Sequence, residues 1–272
     1  MKNISEIISS NSYPGRGIII GVDESRSNVT IAYFIMGRSE NSRNRVFVLD
    51  GEDVKTEAFD ESKLTDPSLI IYKPVRVMGG TTIVTNGDQT DTIFDGLRNG
   101  KNFEQSLRTR TFEPDNPNFT PRISGIITLN DTDVEYKLSI LKSCNGNSNS
   151  VQRFFFEYDQ PISGQGHFIH TYVKDANPLP SFCGEPHLVK ISGNLEQFGN
   201  NIWNSLDNDN KISLFTRFID IKTGVSQTRI INKNVWKENK PWKSFNLNMD
   251  VIPINRHQKY TWKMDKTYQL PY

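Results

Sequence analysis

A tyrosine and an arginine near one turn have the side-chain types that could bind and activate a polar ligand. Tyr72 and Arg76 fall in residues 69–78, a largely apolar run that ends in a Gly-Gly turn. If this run is a β-strand, alternation places both side chains on one face. Pro74 cannot donate a ladder hydrogen bond, so we expect the strand to lie at a sheet edge or to be bulged there. The face could line a pocket, or it could be the solvated face of an ordinary hairpin.

The most charge-dense loop of the chain could hold an anionic ligand. Arg38, Arg43 and Arg45 fall within eight residues, and Ser and Asn side chains separate them. Guanidinium groups bind phosphate oxygens through paired hydrogen bonds, so this loop is a candidate phosphate site. It connects two apolar runs that we expect to be strands, which would hold it at both ends. The alternative interpretation is a solubilising loop in which Glu40 neutralises part of the charge.

A proline-rich segment carries the next candidate acid. Residues 112–125 contain three prolines and no periodicity, which predicts a structured loop that leads into a strand. Glu113 stands near the start of this loop, and Arg122 stands just before the strand. A glutamate in such a loop is most often solvated, so its type and position alone leave its role open.

Histidine and cysteine spacing does not predict a metal site. His167 and His170 would point to opposite faces of a strand, and Cys183 with His187 lacks a second pair of ligands. Cys144 and Cys183 occur in unrelated contexts without a C-x-x-C spacing, so we expect neither a disulfide nor a bound metal. A reduced cytoplasmic setting is the corresponding expectation.

Composition restricts the class of function further. The 32 Lys and Arg residues and 31 Asp and Glu residues give a net charge of +1, whereas a dedicated nucleic-acid binder normally has a strong basic excess. The 272 residues, 35% of them hydrophobic, suffice for one large domain or two small ones with a sizeable core. The first residues lack the apolar segment of a secretory signal, and no stretch approaches the roughly 18 apolar residues of a membrane span. We therefore expect a cytoplasmic protein with no membrane or nucleic-acid partner.

Strands must position most of these side chains. Apolar runs at 18–22 and 29–37, separated by a polar turn, predict a β-hairpin, and both runs are apolar on both faces. Strands of this kind are usually buried between layers. After residue 91 the apolar spacing becomes helical, and Asn102 with Gln105 resembles a capping box. Further strands follow, so we expect an α+β fold in which two sheets stack on each other.

The C-terminal third has its own pattern. Residues 195–206 predict a helix, and residues 212–232 predict a hairpin around a Lys-Thr-Gly turn. The tail at 233–272 is aromatic and basic, so we expect it to wrap the domain or an oligomer interface. Its tryptophans are Trp236, Trp242 and Trp262.

Several short motifs occur together in the order and spacing of a known family. In chain order they are YPGR, GRSENSRNR, IIYKPVRVMGG, TNGDQTDTI, FEPDNPNFTPRISG and GHFIHTY with a downstream CGEP. Together they resemble the IMP cyclohydrolase family first described in archaea, over about residues 13–192. This resemblance implies a four-layer αββα fold similar to the N-terminal nucleophile hydrolases, without a self-processing nucleophile. It also implies a single domain over 1–272, in which the role of 193–272 is open.

The resemblance also implies an activity and a set of site residues. The expected reaction closes 5-formamidoimidazole-4-carboxamide ribotide (FAICAR) to IMP with loss of water, the last step of de novo purine biosynthesis. It implies a homo-oligomer that needs no cofactor. Motif matching gives Tyr72, Glu113 and Arg45 catalytic roles. Residues expected to bind the ribotide or support its pocket are Arg38, Arg43, Arg76, Asn86, Asp91 and Arg122.

These residue types fit that chemistry. A carboxamide nitrogen is a poor nucleophile, so a proton must leave it as it attacks the formyl carbon. Glu113 or the Tyr72 phenol could take or relay this proton, a step that is typically worth about 10²–10⁴-fold in rate. Negative charge then develops on the former formyl oxygen, which Arg45 or a polarised phenol could stabilise. Sequence leaves open which of Tyr72 and Glu113 is the acid and which is the base.

Two departures from the family pattern keep other functions under consideration. The arginine loop is about one residue longer than in the family, and Asp88-Gln89 stands where Ser-His is usual. A catalytically silent ribotide-binding protein of the same fold is therefore one alternative. An N-terminal-nucleophile amide hydrolase is another, but it needs a terminal Cys, Ser or Thr, and Met1 begins this sequence. Nucleic-acid binding through the arginine loop is disfavoured by the net charge.

Overall fold

Strands make up most of the fold. The computed structural model describes residues 1–64, 67, 71–130 and 133–235, so Trp236, Trp242 and Trp262 of the tail lie outside the described residues. In chain order the strands are β1 (Lys2–Asn3), β2 (Arg16–Val22), β3 (Asn28–Met36), β4 (Arg45–Asp50), β5 (Asp53–Ala58), β6 (Val75–Met78), β7 (Thr81–Thr85), β8 (Arg122–Leu129), β9 (Val134–Cys144), β10 (Asn147–Tyr158), β11 (Gln165–His170), β12 (His187–Lys190), β13 (Lys211–Asp220) and β14 (Ser226–Asn232). The α-helices are α1 (Ile4–Ser9), α2 (Glu40–Arg43), α3 (Gln89–Arg98), α4 (Phe103–Leu107) and α5 (Leu195–Ser205).

The described strands form two sheets of seven strands each. The first sheet has the order β1-β12-β11-β2-β3-β13-β14, and the second has the order β10-β9-β8-β7-β6-β5-β4. Neighbouring strands run antiparallel, except for the parallel pair of β1 and β12. The protein is therefore α+β with two sheets, as the sequence predicts.

Side chains from the two sheets meet in one apolar core. Ile18 and Ile20 of β2 pack there with Val84 of β7 and Ile123 of β8. The intervening Ile19 belongs to a different cluster on the opposite face of the first sheet. Burial of each such side chain contributes about 1.5–3 kcal/mol. Because β2 is apolar on both faces, it can stabilise packing on both sides, which explains its unbroken apolar run.

Helices cover the outer faces of the sheets. On the first sheet, α1 and α5 contribute Ile8 and Ile202 to the cluster that contains Ile19. On the second sheet, α3 and α4 contribute Ile93 and Leu107 to a third cluster. Within the described part of the chain, no helix combines the length and apolar character needed to cross a membrane.

Most local predictions are confirmed. The β2–β3 hairpin pairs over its full length, and β13 pairs with β14 around the predicted turn. Asn102 and Gln105 form the capping box of α4, in which each side chain bonds the other residue's backbone N–H. An equivalent box of Asn194 and Gln197 begins α5. The starts of α4 and α5 are therefore fixed by local polar chemistry that sequence can reveal.

The strand predicted at residues 69–78 is wrong in its first half. Residues 68–70 lie outside the described part, residues 71–74 are irregular, and β6 begins only at Val75. Pro74 therefore precedes the ladder instead of interrupting it, and β6 lies between β5 and β7, not at a sheet edge. The carbonyl of Pro74 accepts from the backbone N–H of Thr85 at 2.8 Å. Strand alternation consequently does not relate Tyr72 to Arg76.

Candidate active site

Tyr72 is held in its irregular segment by the neighbouring strand β5. The carbonyl of Tyr72 accepts from the Thr56 backbone N–H and hydroxyl, at 2.9 and 3.0 Å. The backbone N–H of Tyr72 donates back to the Thr56 hydroxyl at 2.9 Å. The phenol is directed toward the first sheet, where its oxygen lies 2.8 Å from the hydroxyl oxygen of Tyr33 on β3. This hydrogen bond joins the two sheets at the site.

Arg45 is the first residue of β4, and its side chain points inward. It is fully buried, with 0% of its surface exposed. Its Nε donates to the carbonyl of Ser42 at 2.8 Å, but neither terminal nitrogen has a hydrogen-bond partner. Buried polar groups are nearly always hydrogen-bonded, so a guanidinium with two unpartnered nitrogens is a candidate for ligand binding or catalysis. Burial and the neighbouring charge of Arg16 lower the pKa of Arg45.

Glu113 is buried at the start of its loop, contrary to the usual solvated glutamate. Only 4% of its surface is exposed. Its backbone N–H donates to the carbonyl of Thr120 at 2.9 Å, and the Thr120 backbone N–H donates to Asp115 Oδ1 at 2.6 Å. The Thr120 hydroxyl also bonds the Tyr172 hydroxyl. These bonds fix the loop from both ends and thereby hold Glu113 against the sheets.

Arg16 is a member of the site that sequence reasoning missed. It is the first residue of β2, and its buried Nε has no hydrogen-bond partner. Burial lowers the pKa of Arg16, but the charges of Glu113, Tyr172, Tyr13 and Tyr72 raise it, and the net shift is upward. A signal was present, because Arg16 opens an otherwise apolar strand just as Arg45 does in β4.

Tyr72, Glu113 and the two arginines are close enough to influence one another's pKa values. Burial raises the pKa of Tyr72, while Arg45 and Arg16 oppose the rise and Glu113 adds to it. Burial also raises the pKa of Glu113, and Arg16 partly offsets this effect. Among the described residues, no ion pair within 4 Å joins Glu113 to either arginine. The charged groups are thus close enough to influence each other without neutralising each other directly.

Arg122 borders the same centre beside Gly87. Its Nη1 lies 2.7 Å from Gln89 Oε1 and 2.7 Å from Asp88 Oδ1. A Cβ at Gly87 would come within 2.6 Å of Arg122 Nη1 and 3.6 Å of Glu113 Oε1, which shows how closely these groups approach. The Asp88-Gln89 pair that departs from the family pattern therefore neutralises and orients Arg122.

Asn86 stabilises the segment that carries Arg122 through its own hydrogen bonds. Its side-chain amide donates to the carbonyl of Pro121 at 2.9 Å. Its Oδ1 accepts from Gln89 Nε2 at 2.9 Å and from the Ile123 backbone N–H at 2.8 Å. Because the side chain is fully engaged, Asn86 has the geometry of a pocket support.

The three arginines of the 38–45 loop do not converge, contrary to the expectation of one cationic cluster. Arg38 pairs with Asp175 at 2.7 Å. Arg43 is exposed, and its Nε donates to the carbonyl of Gly37 at 3.0 Å. Arg43 is the last residue of the short helix α2 and is exposed, so Arg45 alone of the three has a fully buried side chain.

Arg76 and Asp91 lie at a surface pocket that also reaches Tyr72. Arg76 Nη1 is 2.7 Å from Asp91 Oδ1, and the Arg76 guanidinium lies 3.4 Å from the centre of the Phe94 ring. Tyr72, Arg76 and Asp91 line a pocket of about 570 Å³ together with Lys55, Thr56, Ile71, Lys73 and Asp95. Tyr72 and Arg76 therefore border one pocket, although the irregular segment and not strand alternation brings them there.

Comparison with known proteins shows to which family the chain belongs. A family model described as IMP cyclohydrolase-like protein matches residues 13–224. The chain belongs to this family. The match extends past the last recognised motif through α5 and β13, so both of these elements belong to the matched region.

Curated relatives carry the name IMP cyclohydrolase. The protein from Methanococcus maripaludis (strain C7 / ATCC BAA-1331) is 29% identical over 163 residues, which cover 51% of this chain and 79% of the relative. The protein from Methanopyrus kandleri is 29% identical over 173 residues, 62% of this chain and 79% of the relative. The protein from Methanosphaera stadtmanae is 32% identical over 118 residues, 41% of this chain and 56% of the relative.

Proposed function

We propose that this protein is an IMP cyclohydrolase that closes FAICAR to IMP and water, the last step of de novo purine biosynthesis. The observation that supports this function most strongly is that Tyr72, Glu113 and Arg45 are all buried and influence one another electrostatically, although they come from three distant segments. Arg45 keeps two buried nitrogens free of protein partners. Family membership and the names of the archaeal relatives support the same reaction.

Glu113 is the base in this proposal, and Tyr72 is the acid. Because burial raises the pKa of Tyr72, the phenol keeps its proton near neutral pH and can donate it. Glu113 takes one proton from the carboxamide nitrogen as that nitrogen bonds to the formyl carbon. The formyl oxygen takes the Tyr72 proton and becomes a hydroxyl. Arg45 stabilises the negative charge on this oxygen while the proton moves.

Loss of water completes the reaction and restores both groups. Protonated Glu113 gives its proton to the new hydroxyl, which leaves as water. The Tyr72 phenolate takes the proton of the former formamido nitrogen as the C=N bond forms. Both side chains then return to their starting protonation states. Since the reacting groups belong to one molecule, holding the formamido group against the amide supplies much of the remaining acceleration.

The fold and assembly of the proposed enzyme follow the family. Two stacked sheets with helices on both outer faces support a four-layer αββα arrangement similar to the N-terminal nucleophile hydrolases. We propose a homo-oligomer of single-domain chains, which size-exclusion chromatography with light scattering would test. FAICAR enters through the pocket that Tyr72 and Arg76 line.

Turnover of FAICAR tests the function directly. We expect purified protein to convert FAICAR to IMP, and the change in absorbance as IMP forms measures the rate. Tyr72→Phe and Glu113→Gln should each lower kcat by about 10²–10⁴-fold, since each removes a proton-transfer group. Glu104→Gln, which changes a glutamate paired with Lys137 on another surface, is the matched control and should keep full activity. Absence of turnover by folded wild-type protein, or full activity of both site variants, would refute the proposal.

A further inference from the structure

Two arginines at the site, the fully buried Arg45 and the half-buried Arg16, have buried nitrogens that no protein group accepts from. Both terminal nitrogens of Arg45 and the Nε of Arg16 are buried without a hydrogen bond. By contrast, Arg122 is bonded to Asp88 and Gln89, and Arg38 is paired with Asp175. A buried guanidinium nitrogen without a hydrogen bond destabilises the folded protein, because its hydration is lost and no protein partner replaces it. Arg76 also has a buried Nε without a hydrogen bond, but its Nη1 pairs with Asp91. Arg16 and Arg45 are therefore the two arginines at the buried centre for which the described residues provide no ion pair.

Arg16 and Arg45 come from different sheets but act on the same two phenols. Arg16 begins β2 of the first sheet, and Arg45 begins β4 of the second. Burial raises the pKa values of Tyr33 and Tyr72, whose hydroxyls are 2.8 Å apart, and the charges of both arginines oppose this rise. Both guanidiniums thus lie within electrostatic range of one hydrogen-bonded phenol pair between the sheets.

We propose that Arg16 and Arg45 together form one buried oxyanion-binding site at the reacting end of the ribotide. Arg16 is then a second catalytic arginine, and the pair shares the charge that develops on the former formyl oxygen. The inference deepens the proposed function and rests on it for the identity of the oxygen. Glu113 supplies one negative charge against two positive charges, so this centre has one uncompensated positive charge for an anionic oxygen.

Binding of a simple oxyanion tests the site without any turnover. Sulfate at millimolar concentration, with ionic strength held constant by chloride, should raise the Tm of the full chain saturably by roughly 3 °C or more. Arg16→Gln and Arg45→Gln should each abolish this rise. Arg217→Gln is the matched control, because Arg217 is also buried, at 2% exposure, but donates to Thr228 and to the Glu52 carbonyl. This variant should lose stability and keep the sulfate response.

Kinetics then locate the oxyanion. If Arg16 acts at the reacting end, Arg16→Gln should lower kcat by about 10²–10³-fold with little change in KM. Arg16→Lys keeps the positive charge but loses the paired N–H donors, so its kcat should lie between the values of wild type and Arg16→Gln. The same variant replaces Arg16→Gln in the test if Arg16→Gln does not fold. The Gln variant should also bind IMP and inosine with the same relative affinities as wild type.

Two results would overturn the inference. One is the absence of a saturable sulfate response in wild type, or its persistence in both Arg16→Gln and Arg45→Gln. The other is an Arg16→Gln variant with normal kcat that weakens IMP binding but not inosine binding, since Arg16 would then bind the 5′-phosphate. A wild-type protein that fails to convert FAICAR but shows the Arg-dependent sulfate response would refute the proposed function and leave the oxyanion site standing.

Discussion

At the scale of single residues, the site is defined by polar groups that the fold buries without pairing them. Arg45 is fully buried with two unpartnered nitrogens, and Glu113 is buried with no arginine ion pair within the described part of the chain. Such an arrangement destabilises the folded protein, because each group loses hydration. It is retained where the groups act on a ligand, so the cost itself is evidence of function.

Tyr33 is expected to position Tyr72. Tyr33→Phe removes the hydroxyl that bonds Tyr72 but keeps the ring, which stacks on Phe47 at 5.5 Å. We expect kcat for IMP formation to fall about tenfold with KM unchanged. The matched control is Tyr136→Phe, which removes a buried hydroxyl bonded to His167 in the same core. Equal activity of the two variants would show that Tyr33 has only a structural role.

Glu113 should couple stability to pH with a defined sign. Its folded-state pKa lies above its ordinary value of 4.5, chiefly because of burial. The folded protein therefore binds this proton more tightly than the unfolded chain, and stability falls as pH rises from 4.5 through the raised pKa. Glu113→Gln removes the effect. We expect the variant to have the higher Tm at pH about 7, and the advantage to disappear below pH about 4.5.

Thermal melts of wild type and Glu113→Gln across this range provide the measurement. The activity of wild type should also decline as pH falls through the raised pKa, because the base becomes protonated. A variant that is less stable than wild type at neutral pH would contradict the pKa direction and the role of burial.

At the scale of elements, the site is assembled at strand beginnings and in irregular segments. Arg16 and Arg45 open β2 and β4, Arg122 opens β8, and Tyr72 and Glu113 lie in non-repetitive backbone. The first residue of a strand lies at the boundary of the apolar layer, where a polar side chain can point toward the end of the core. The strands supply rigidity, and the loops supply side-chain directions that a regular strand would not allow.

Substitution of Gly87 tests how closely Arg122 and Gln89 must pack beside Glu113. A Cβ there would lie 2.6 Å from Arg122 Nη1 and 2.8 Å from Gln89 Oε1, so both side chains must shift. Gly87→Ala should lower kcat/KM about tenfold or more, since small displacements of site groups are costly. Gly96→Ala is the control, because its Cβ would clash with Ser106 between α3 and α4, away from the site. If Gly87→Ala impairs activity no more than Gly96→Ala does, the close packing of Arg122 and Gln89 at Gly87 has no functional role.

Sequence predicted the elements better than the contacts between them. The β2–β3 hairpin, the capping box of Asn102 and Gln105, and the two-sheet architecture follow from local periodicity and polar caps. The start of β6 did not follow, because an apolar run with a central proline fits both a strand and an irregular segment. Tyr33 and Arg16 were missed as site residues, since only the stacking of the sheets brings them to Tyr72.

At the scale of the whole molecule, the stacked sheets create a dry core that continues into the site. Tyr33 belongs to that core together with Ile18 and Phe47, and its hydroxyl marks the point where apolar packing gives way to polar chemistry. A low-dielectric surrounding strengthens the electrostatic effect of Arg45 and Arg16 on a bound ligand. The sandwich therefore provides both the stability of the protein and the environment in which its charged groups act.

A crystal structure of the complex with IMP tests the central claim most directly. The account predicts that the edge of the base formed by ring closure lies within hydrogen-bond distance of the Tyr72 hydroxyl and the Glu113 carboxylate, with Arg45 facing the same edge. IMP bound with that edge directed away from all three side chains, or bound elsewhere in the described fold, would contradict it.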